Sequence, residues 1–311
     1  MQLIRTLNPD RAPAGSTALA IGNFDGLHRG HQALIQDALD KAASASLQPA
    51  LMCFEPLPVT LLRPQDPVPR LHAVRDRVIE STALGVERLY MLRFNRAFAA
   101  LSPEAFVKQV VLGVARAQHV VVGSDFRFGV RAAGDVDQLR EFGDRYGFSV
   151  SVVAPVLHGD ERISSSRLRT ALAVGKMDCV RDLLGRPYCL HGRVLRGQQL
   201  GRELGFPTVN LRPPLPPAAH GIFAAKVSGS GLTDHPAVLS LGMRPTVAGD
   251  SWLLEAHLFD YDGDLYGRHL RVEFVERLRG EEKFDSLDAM RIQMDDDARQ
   301  ARRILGIEAR R

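Results

Sequence analysis

The chain has 311 residues, 45% of them hydrophobic and 24% charged, with a formal net charge of +4. That length exceeds what one hydrophobic core usually serves, and the composition excludes a disordered or fibrous chain, so an ordered protein of two domains is expected. The small positive charge suits anionic substrates such as nucleotides rather than a nucleic acid, and no apolar run reaches the ~20 residues of a membrane span.

Residues 17–21 are apolar and partly β-branched and read as a buried strand. Residues 32–45 carry Leu34, Ile35, Ala38, Leu39 and Ala42 at helical spacing. Between them runs Gly22-Asn23-Phe24-Asp25-Gly26-Leu27-His28-Arg29-Gly30-His31. A strand, a glycine turn and a helix open a parallel α/β sheet, whose ligands bind beyond the carboxyl ends of the strands and against helix N-termini. Two imidazoles beside backbone N–H groups make a clamp for a triphosphate. Taken singly, each histidine is more simply a surface loop residue.

Further strands are predicted at 50–54, 88–94, 119–123 and 150–153, with helices at 75–84 and 103–114, the latter capped by Ser102. This alternation predicts a parallel sheet. Glu55-Pro56-Leu57-Pro58 reads equally as a substrate wall or as a stop to the second strand. Gly123-Ser124-Asp125-Phe126-Arg127-Phe128-Gly129 follows the fourth strand. Asp125 there suits a ribose hydroxyl and Arg127 a phosphate, while a turn with both phenylalanines in the core fits equally well. In Ile163-Ser164-Ser165-Ser166-Arg167-Leu168-Arg169 a helix cap accounts for the serines; Arg169, one turn on, is left to face an anion.

Beyond Gly185 the texture changes to short strands with glycine-rich turns, at 189–194, 221–227, 237–241, 253–259 and 270–278, which suggests an antiparallel barrel or sandwich. Ser286 then caps a helix with Leu287, Met290, Met294, Ala298, Ala301 and Ile304 on one stripe, expected to cover a barrel end. The run Gly197–Asn210 holds Gly201, Arg202, Gly205, Pro207 and Thr208. Its glycines allow a loop to wrap phosphates. Thr208 and Asn210 are two apart, so on an extended strand they share a face, and their oxygens suit Mg²⁺; a solvated pair is the simpler reading of those two alone. Glu255 and His257 also share a face. The acids of Asp260–Gly267 lack the distal Glu of a calcium loop. Cys53, Cys179 and Cys189 are widely spaced and residues 1–10 carry no secretory leader, so reduced thiols in a cytoplasmic protein are expected.

Several of these runs resemble, in order, the motifs of bacterial bifunctional riboflavin kinase/FAD synthetases. Gly22–His31 is similar to their N-terminal signature, itself akin to that of the nucleotidyltransferase superfamily that includes class I tRNA synthetases. Residues 123–129 resemble Gly-x-Asp-Phe-x-Phe-Gly, and 163–169 resemble Ile-Ser-Ser-Thr/Ser-x-x-Arg. Residues 201–210 resemble Gly-Arg-x-Leu-Gly-Phe-Pro-Thr-Ala-Asn, with Val209 in place of the usual Ala. Gly242-Met243-Arg244-Pro245-Thr246 resembles Gly-x-Arg-Pro-Thr.

The resemblance implies a Rossmann-like nucleotidyltransferase domain (1–184) with a parallel sheet. It implies a C-terminal antiparallel Greek-key β-barrel with a terminal helix (185–311). It implies phosphorylation of riboflavin to FMN by ATP and Mg²⁺ in the second domain, and adenylylation of FMN to FAD with release of pyrophosphate in the first. Glu255 matches the general base on the ribityl 5′-hydroxyl, and Thr208 and Asn210 match the metal ligands. His28, His31 and Arg169 would stabilise phosphates in the transfer. Gly22, Asn23, Phe24, Asp25, Gly26, Asp125, Ser165, Ser166, Gly197, Gly201, Arg202, Gly205 and Pro207 would line the nucleotide. A cytoplasmic monomer with only small-molecule partners is expected. A nucleotidyltransferase for a pantetheine or nicotinate nucleotide would not need the barrel. A non-catalytic flavin- or RNA-binding protein on the same scaffold would not need His28, His31, Arg169, Thr208, Asn210 and Glu255 together.

Overall fold

The computed structural model describes residues 1–197, 205–244 and 251–307. The chain divides into two compact units, Met1–Val68 with Arg77–Ser164, and Pro69–Asp76 with Ser165–Arg311. The helices Ser165–Val174 and Met177–Leu184 thus fall with the second unit.

The first unit is built on β1 (Gln2–Ile4), β2 (Thr17–Ile21), β3 (Gln48–Glu55), β4 (Arg88–Arg93), β5 (Ala117–Gly123) and β6 (Ser149–Val153). They lie in the order β1-β4-β3-β2-β5-β6, and every neighbouring pair is parallel. All five residues of β2 are buried, as a strand covered on both faces requires. The three-residue edge strand β1 was not expected; it is too short to show a period. From β2 the chain steps outward to β3 and β4, then crosses to β5 on the other side. That reversal makes β2/β5 the switch point of a Rossmann-like sheet, so the loops leaving their carboxyl ends flank one crevice. The predicted helix 103–114 is present in two parts. Ser102 caps Pro103–Phe106, and a π-helical run Val107–Val114 follows, burying Val107, Val110, Val111 and Val114. A short hairpin, β7 (Leu157–His158) and β8 (Glu161–Arg162), ends the unit.

The second unit carries β9 (Tyr188–Arg193), β10 (Thr208–Leu211), β11 (Gly221–Gly229), β12 (Leu232–Arg244), β13 (Ser251–Leu258) and β14 (His269–Arg279). The antiparallel order is β10-β13-β12-β11-β14-β9. Within it, β14-β11-β12-β13 is a Greek key: three hairpin-linked strands and a fourth returned beside the first. Leu195 N–H donates to Asn210 O at 2.8 Å, a bridge that draws the two edges together and curls the sheet into a barrel. Alternation sends Leu254, Ala256 and Leu258 of β13 into the barrel core and leaves Glu255 and His257 on the outer face. The helix Leu287–Ile304, capped by Ser286, lies on that outer face. Only Asp297 and Ala301 of this helix are fully buried, so much of the predicted apolar stripe lines a cavity instead of packing shut.

Candidate active sites

In the first unit the turn after β2 places two bulky residues in the left-handed region, Phe24 (φ +49°) and Leu27 (φ +46°), around Gly26 (φ +94°). Each non-glycine residue there costs about 1–2 kcal/mol, offset here by complete burial of both side chains. The turn delivers His28 to the N-cap of the helix Arg29–Ala45, where its Nδ1 accepts the His31 N–H at 3.3 Å. That bond assigns the His28 ring proton to Nε2. The His28 and His31 rings stack with centroids 3.7 Å apart, and Phe24 sits 5.2 Å from His31. Gly30 makes room for this stack, since a Cβ there would lie 3.2 Å from the His28 ring. Asp25 and Gly26 are buried, Gly22 is half-buried and Asn23 is exposed.

After β5, Asp125 accepts from Nη1 and Nη2 of Arg162, at 2.7 and 2.9 Å. The Arg162 hydrogen bonds hold its carboxyl below the usual carboxylate range against a smaller opposing effect of burial. Each carboxylate oxygen keeps a second lone pair, so the pair leaves Asp125 able to accept a hydroxyl. Arg127 turns to Asp135 at 3.2 Å, and Phe128 is buried against Phe106, which is the core-turn reading for that aromatic. Ser165, Ser166 and Arg169 belong to the second unit, and Arg169 Nε donates to Pro69 O at 2.7 Å.

In the second unit, strand register assembles the other candidates. Asn210 of β10 and Ser240 of β12 both lie directly opposite Glu255 of β13. Thr208 and Val238 lie opposite His257. Facing residues of an antiparallel pair share a side, so these two rows form one patch. Thr208, Val238, Ser240, Glu255 and His257 of this patch wall a cavity of about 820 Å³ whose other lining includes Phe284, Leu287, Met290 and Met294, while Asn210 is buried beside them. His257 Nδ1 donates to Pro207 O at 2.9 Å, and burial pulls its imidazole below the ordinary value, which keeps the ring neutral with its lone pair on Nε2. Gly197 serves Asn210 directly: a Cβ there would lie 2.6 Å from Asn210 Nδ2. Gly205 has φ +86° in open space. Gly201, Arg202, Pro245 and Thr246 lie outside the described residues.

The hydroxyl of Thr208 and the amide oxygen of Asn210 are hard donors of the type Mg²⁺ takes alongside retained waters, so the patch fits that ion chemically. Among the described residues no cluster of three His, Cys, Asp or Glu side chains is placed for a metal. Sequence reading gave Arg244 no role of its own and passed over Glu281 and the pair Arg279–Asp297, all of which line the cavity. Arg244 lies in a recognised run; the other three carry no spacing signal.

A family model for FAD synthetase matches residues 10–167, and one for riboflavin kinase matches residues 184–305. A protein of Escherichia coli (strain K12) named bifunctional riboflavin kinase/FMN adenylyltransferase is 39% identical over 310 residues, covering 99% of both chains. Proteins of the same name are 38% identical in Pseudomonas fluorescens, over 100% of both chains, and 33% identical in Bacillus subtilis (strain 168), over 92% of this chain and 91% of the relative. Among solved structures, a Streptococcus pneumoniae protein described as a macrolide-efflux protein matches with a TM-score of 0.81 at 29% identity, over 97% of this chain and 99% of its own. No helix among the described residues is long and apolar enough to cross a membrane. With both regions in the same order along full-length relatives, the chain belongs to the bifunctional riboflavin kinase/FMN adenylyltransferase family.

Proposed function

We propose that the chain builds FAD from riboflavin in two ATP-dependent steps at separate sites. The barrel phosphorylates riboflavin to FMN, and the Rossmann-like region adenylylates FMN, releasing pyrophosphate. The border between the activities is assigned to residues 184/185, and the enzyme to a cytoplasmic monomer.

The observation that carries the kinase half is the row of Thr208, Glu255 and His257 on one wall of a cavity with apolar residues opposite, with Asn210 facing Glu255 across the strand pair. A flat apolar ring system fits such a cavity. An alcohol is a poor nucleophile at neutral pH. Glu255 therefore takes the proton of the ribityl 5′-hydroxyl as its oxygen bonds to the γ-phosphorus; the bond to the β,γ-bridging oxygen breaks and ADP leaves. Thr208 Oγ1 and Asn210 Oδ1 would hold Mg²⁺, which when bound neutralises phosphate charge. The His257–Pro207 hydrogen bond fixes the peptide that presents Thr208. Gly197, Gly205 and Pro207 are assigned to the phosphate-binding segment, and by their motif so are Gly201 and Arg202.

In the second step a phosphate oxygen of FMN attacks the α-phosphorus of ATP. That nucleophile is already an anion and needs no base, so the protein's contribution is positioning and charge stabilisation. His28, through Nε2–H, and His31 donate to the phosphates at the helix N-terminus. The backbone of Gly22, Asn23, Phe24, Asp25 and Gly26 borders the nucleotide, and Asp125 accepts a ribose hydroxyl. Ser165, Ser166 and Arg169 are assigned to phosphate binding on the strength of their motif.

Chromatography of flavins after incubation with riboflavin, ATP and Mg²⁺ tests both halves. The wild type is expected to form FMN and then FAD. E255Q is expected to lose FMN formation and keep FAD formation from supplied FMN, and H28A/H31A the reverse. Loss of both activities in a folded E255Q protein, or normal FAD formation by H28A/H31A, refutes the division.

A further inference from the structure

Arg244, the last residue of β12, connects two carboxylates. Its Nε lies 3.3 Å from Glu255 Oε2, its Nη1 donates to Glu281 Oε1 at 2.6 Å, and its Nη2 donates to Ser240 Oγ at 3.1 Å. All four side chains line the same cavity. The contacts are unequal. The bond to Glu281 is short and that to Glu255 is long and single. A paired, two-bond guanidinium contact would consume both the charge and the lone pairs of a carboxylate that has to accept a proton. Arg244 instead spends its best bond on Glu281 and meets Glu255 from one side only. Among the described residues Glu255 has no other hydrogen-bond partner.

A second observation belongs to the same arrangement. Gly242, two residues before Arg244 on β12, lies beneath the Glu281 carboxylate, and a Cβ at 242 would overlap it. The missing side chain is what lets Glu281 reach along the strand to Arg244. The displaced group would be the tip of a flexible side chain, so alanine at 242 moves Glu281 without breaking the strand.

We propose that Arg244 is a positioning residue for Glu255, and that Glu281, seated over Gly242, is the counter-carboxylate that keeps Arg244 from neutralising it. The inference rests on Glu255 being the kinase base. Arg244 orients that carboxylate by one lateral bond and takes no part in proton transfer. Glu281 sets how much of the guanidinium charge Glu255 experiences.

The test uses the full-length protein, with FMN formation from riboflavin and FAD formation from supplied FMN measured side by side. R244Q is expected to lower the kinase kcat by about 10- to 100-fold, part of what a positioned base contributes. The riboflavin KM stays within about twofold, as expected when an interaction specific to the transition state is lost. FAD formation is unchanged, which shows that the protein is folded. R244Q/E255Q is expected to be no slower than E255Q, because Arg244 then has no base to position. G242A is expected to lower kcat in the same direction with KM unchanged. A raised riboflavin KM at unchanged kcat in R244Q overturns the proposal, because Arg244 then binds substrate. An equal loss from R244Q in the wild-type and E255Q backgrounds overturns it too, as does a G242A enzyme with full kcat. If E255Q alone retains kinase turnover, the base assignment itself has failed, and that outcome is read from the single variant.

Discussion

The helix that walls this cavity is tied to the barrel by the ion pairs Arg279–Asp297 and Arg302–Asp260, and D297A should loosen it by removing the more buried of the two. Asp297 is 4% exposed and accepts from Arg279 Nε at 2.8 Å and Nη2 at 2.7 Å, with Gln293 adding a third bond at 3.1 Å. The Asp297 hydrogen bonds raise the Arg279 guanidinium above its ordinary value against the opposing effect of burial. Breaking a buried pair by removing one partner costs about 3–5 kcal/mol, because the other charge is left uncompensated. The lower end applies here: Arg279 is 16% exposed and Glu282 stands 3.9 Å away to take up part of the charge. About 3 kcal/mol corresponds to a fall of about 6–12 °C in the melting temperature of a unit this size. Since Met290 and Met294 ride on the same helix, the riboflavin KM should rise with the loss of stability, while FAD formation from supplied FMN persists. Differential scanning calorimetry together with kinase kinetics measures both. A D297A protein that melts within about 2 °C of the wild type, with an unchanged KM, refutes the view that this pair positions the helix.

Two further outcomes follow from the first unit. Alanine for a mid-helix glycine normally gains about 1 kcal/mol, but a Cβ at Gly143 would lie 2.5 Å from the Phe148 carbonyl oxygen, so G143A should lower stability by about 1–3 kcal/mol in urea unfolding; a gain would show that the loop yields without cost. Burial pulls the His119 imidazole below its ordinary value, its ring held between Ser149 Oγ at 2.6 Å and Ser151 Oγ at 2.9 Å. The unfolded ring titrates first, near ~6.5, so stability present above that pH is lost as the pH falls toward the folded value; melting temperatures should decline below pH ~6.5, and less steeply in H119Q.

The parts of this fold written in short-range pattern were legible, and the parts set by long-range pairing were not. β2 could be read because four consecutive apolar residues follow the β-branched Thr17, and all five are buried. The alternation across Leu254, Glu255, Ala256 and His257 put Glu255 and His257 on one face, and the structure shows that face to be the outer one. In sequence His28 reads as a candidate phosphate contact; its role as a helix cap was not legible, because caps are normally Ser, Thr, Asp or Asn and its residue type concealed it. The stripe of Leu287, Met290 and Met294 told which face of the last helix turns inward. Periodicity does not tell whether packed atoms or empty space lie opposite, and here it is a cavity. Arg244 and Glu281 are 37 residues apart, and no spacing rule joins charges at that separation.

The physical extent of the barrel unit shows the same limit. Its sequence match begins at residue 184, yet Pro69–Asp76 packs with it. Arg70 N–H donates to Pro216 O at 2.8 Å, and Arg70 O accepts from Ala218 N–H at 3.0 Å, a short parallel pairing with the segment between β10 and β11. Leu71 is fully buried, and its carbonyl accepts from the buried Tyr188 hydroxyl at 2.9 Å. Asp76, also buried, takes the N–H of Ala73 and both the N–H and Nδ1 of His191, each at 2.9 Å. Buried polar groups of this kind are costly to leave unmade, so a barrel cut from the chain at its sequence border loses partners for Tyr188, His191 and Ala218 together. The activities divide along the sequence, whereas the packing of the second unit draws on a segment that precedes most of the first. A chain folded in this way favours keeping both activities on one polypeptide for reasons of stability alone, before any transfer of FMN between sites is considered.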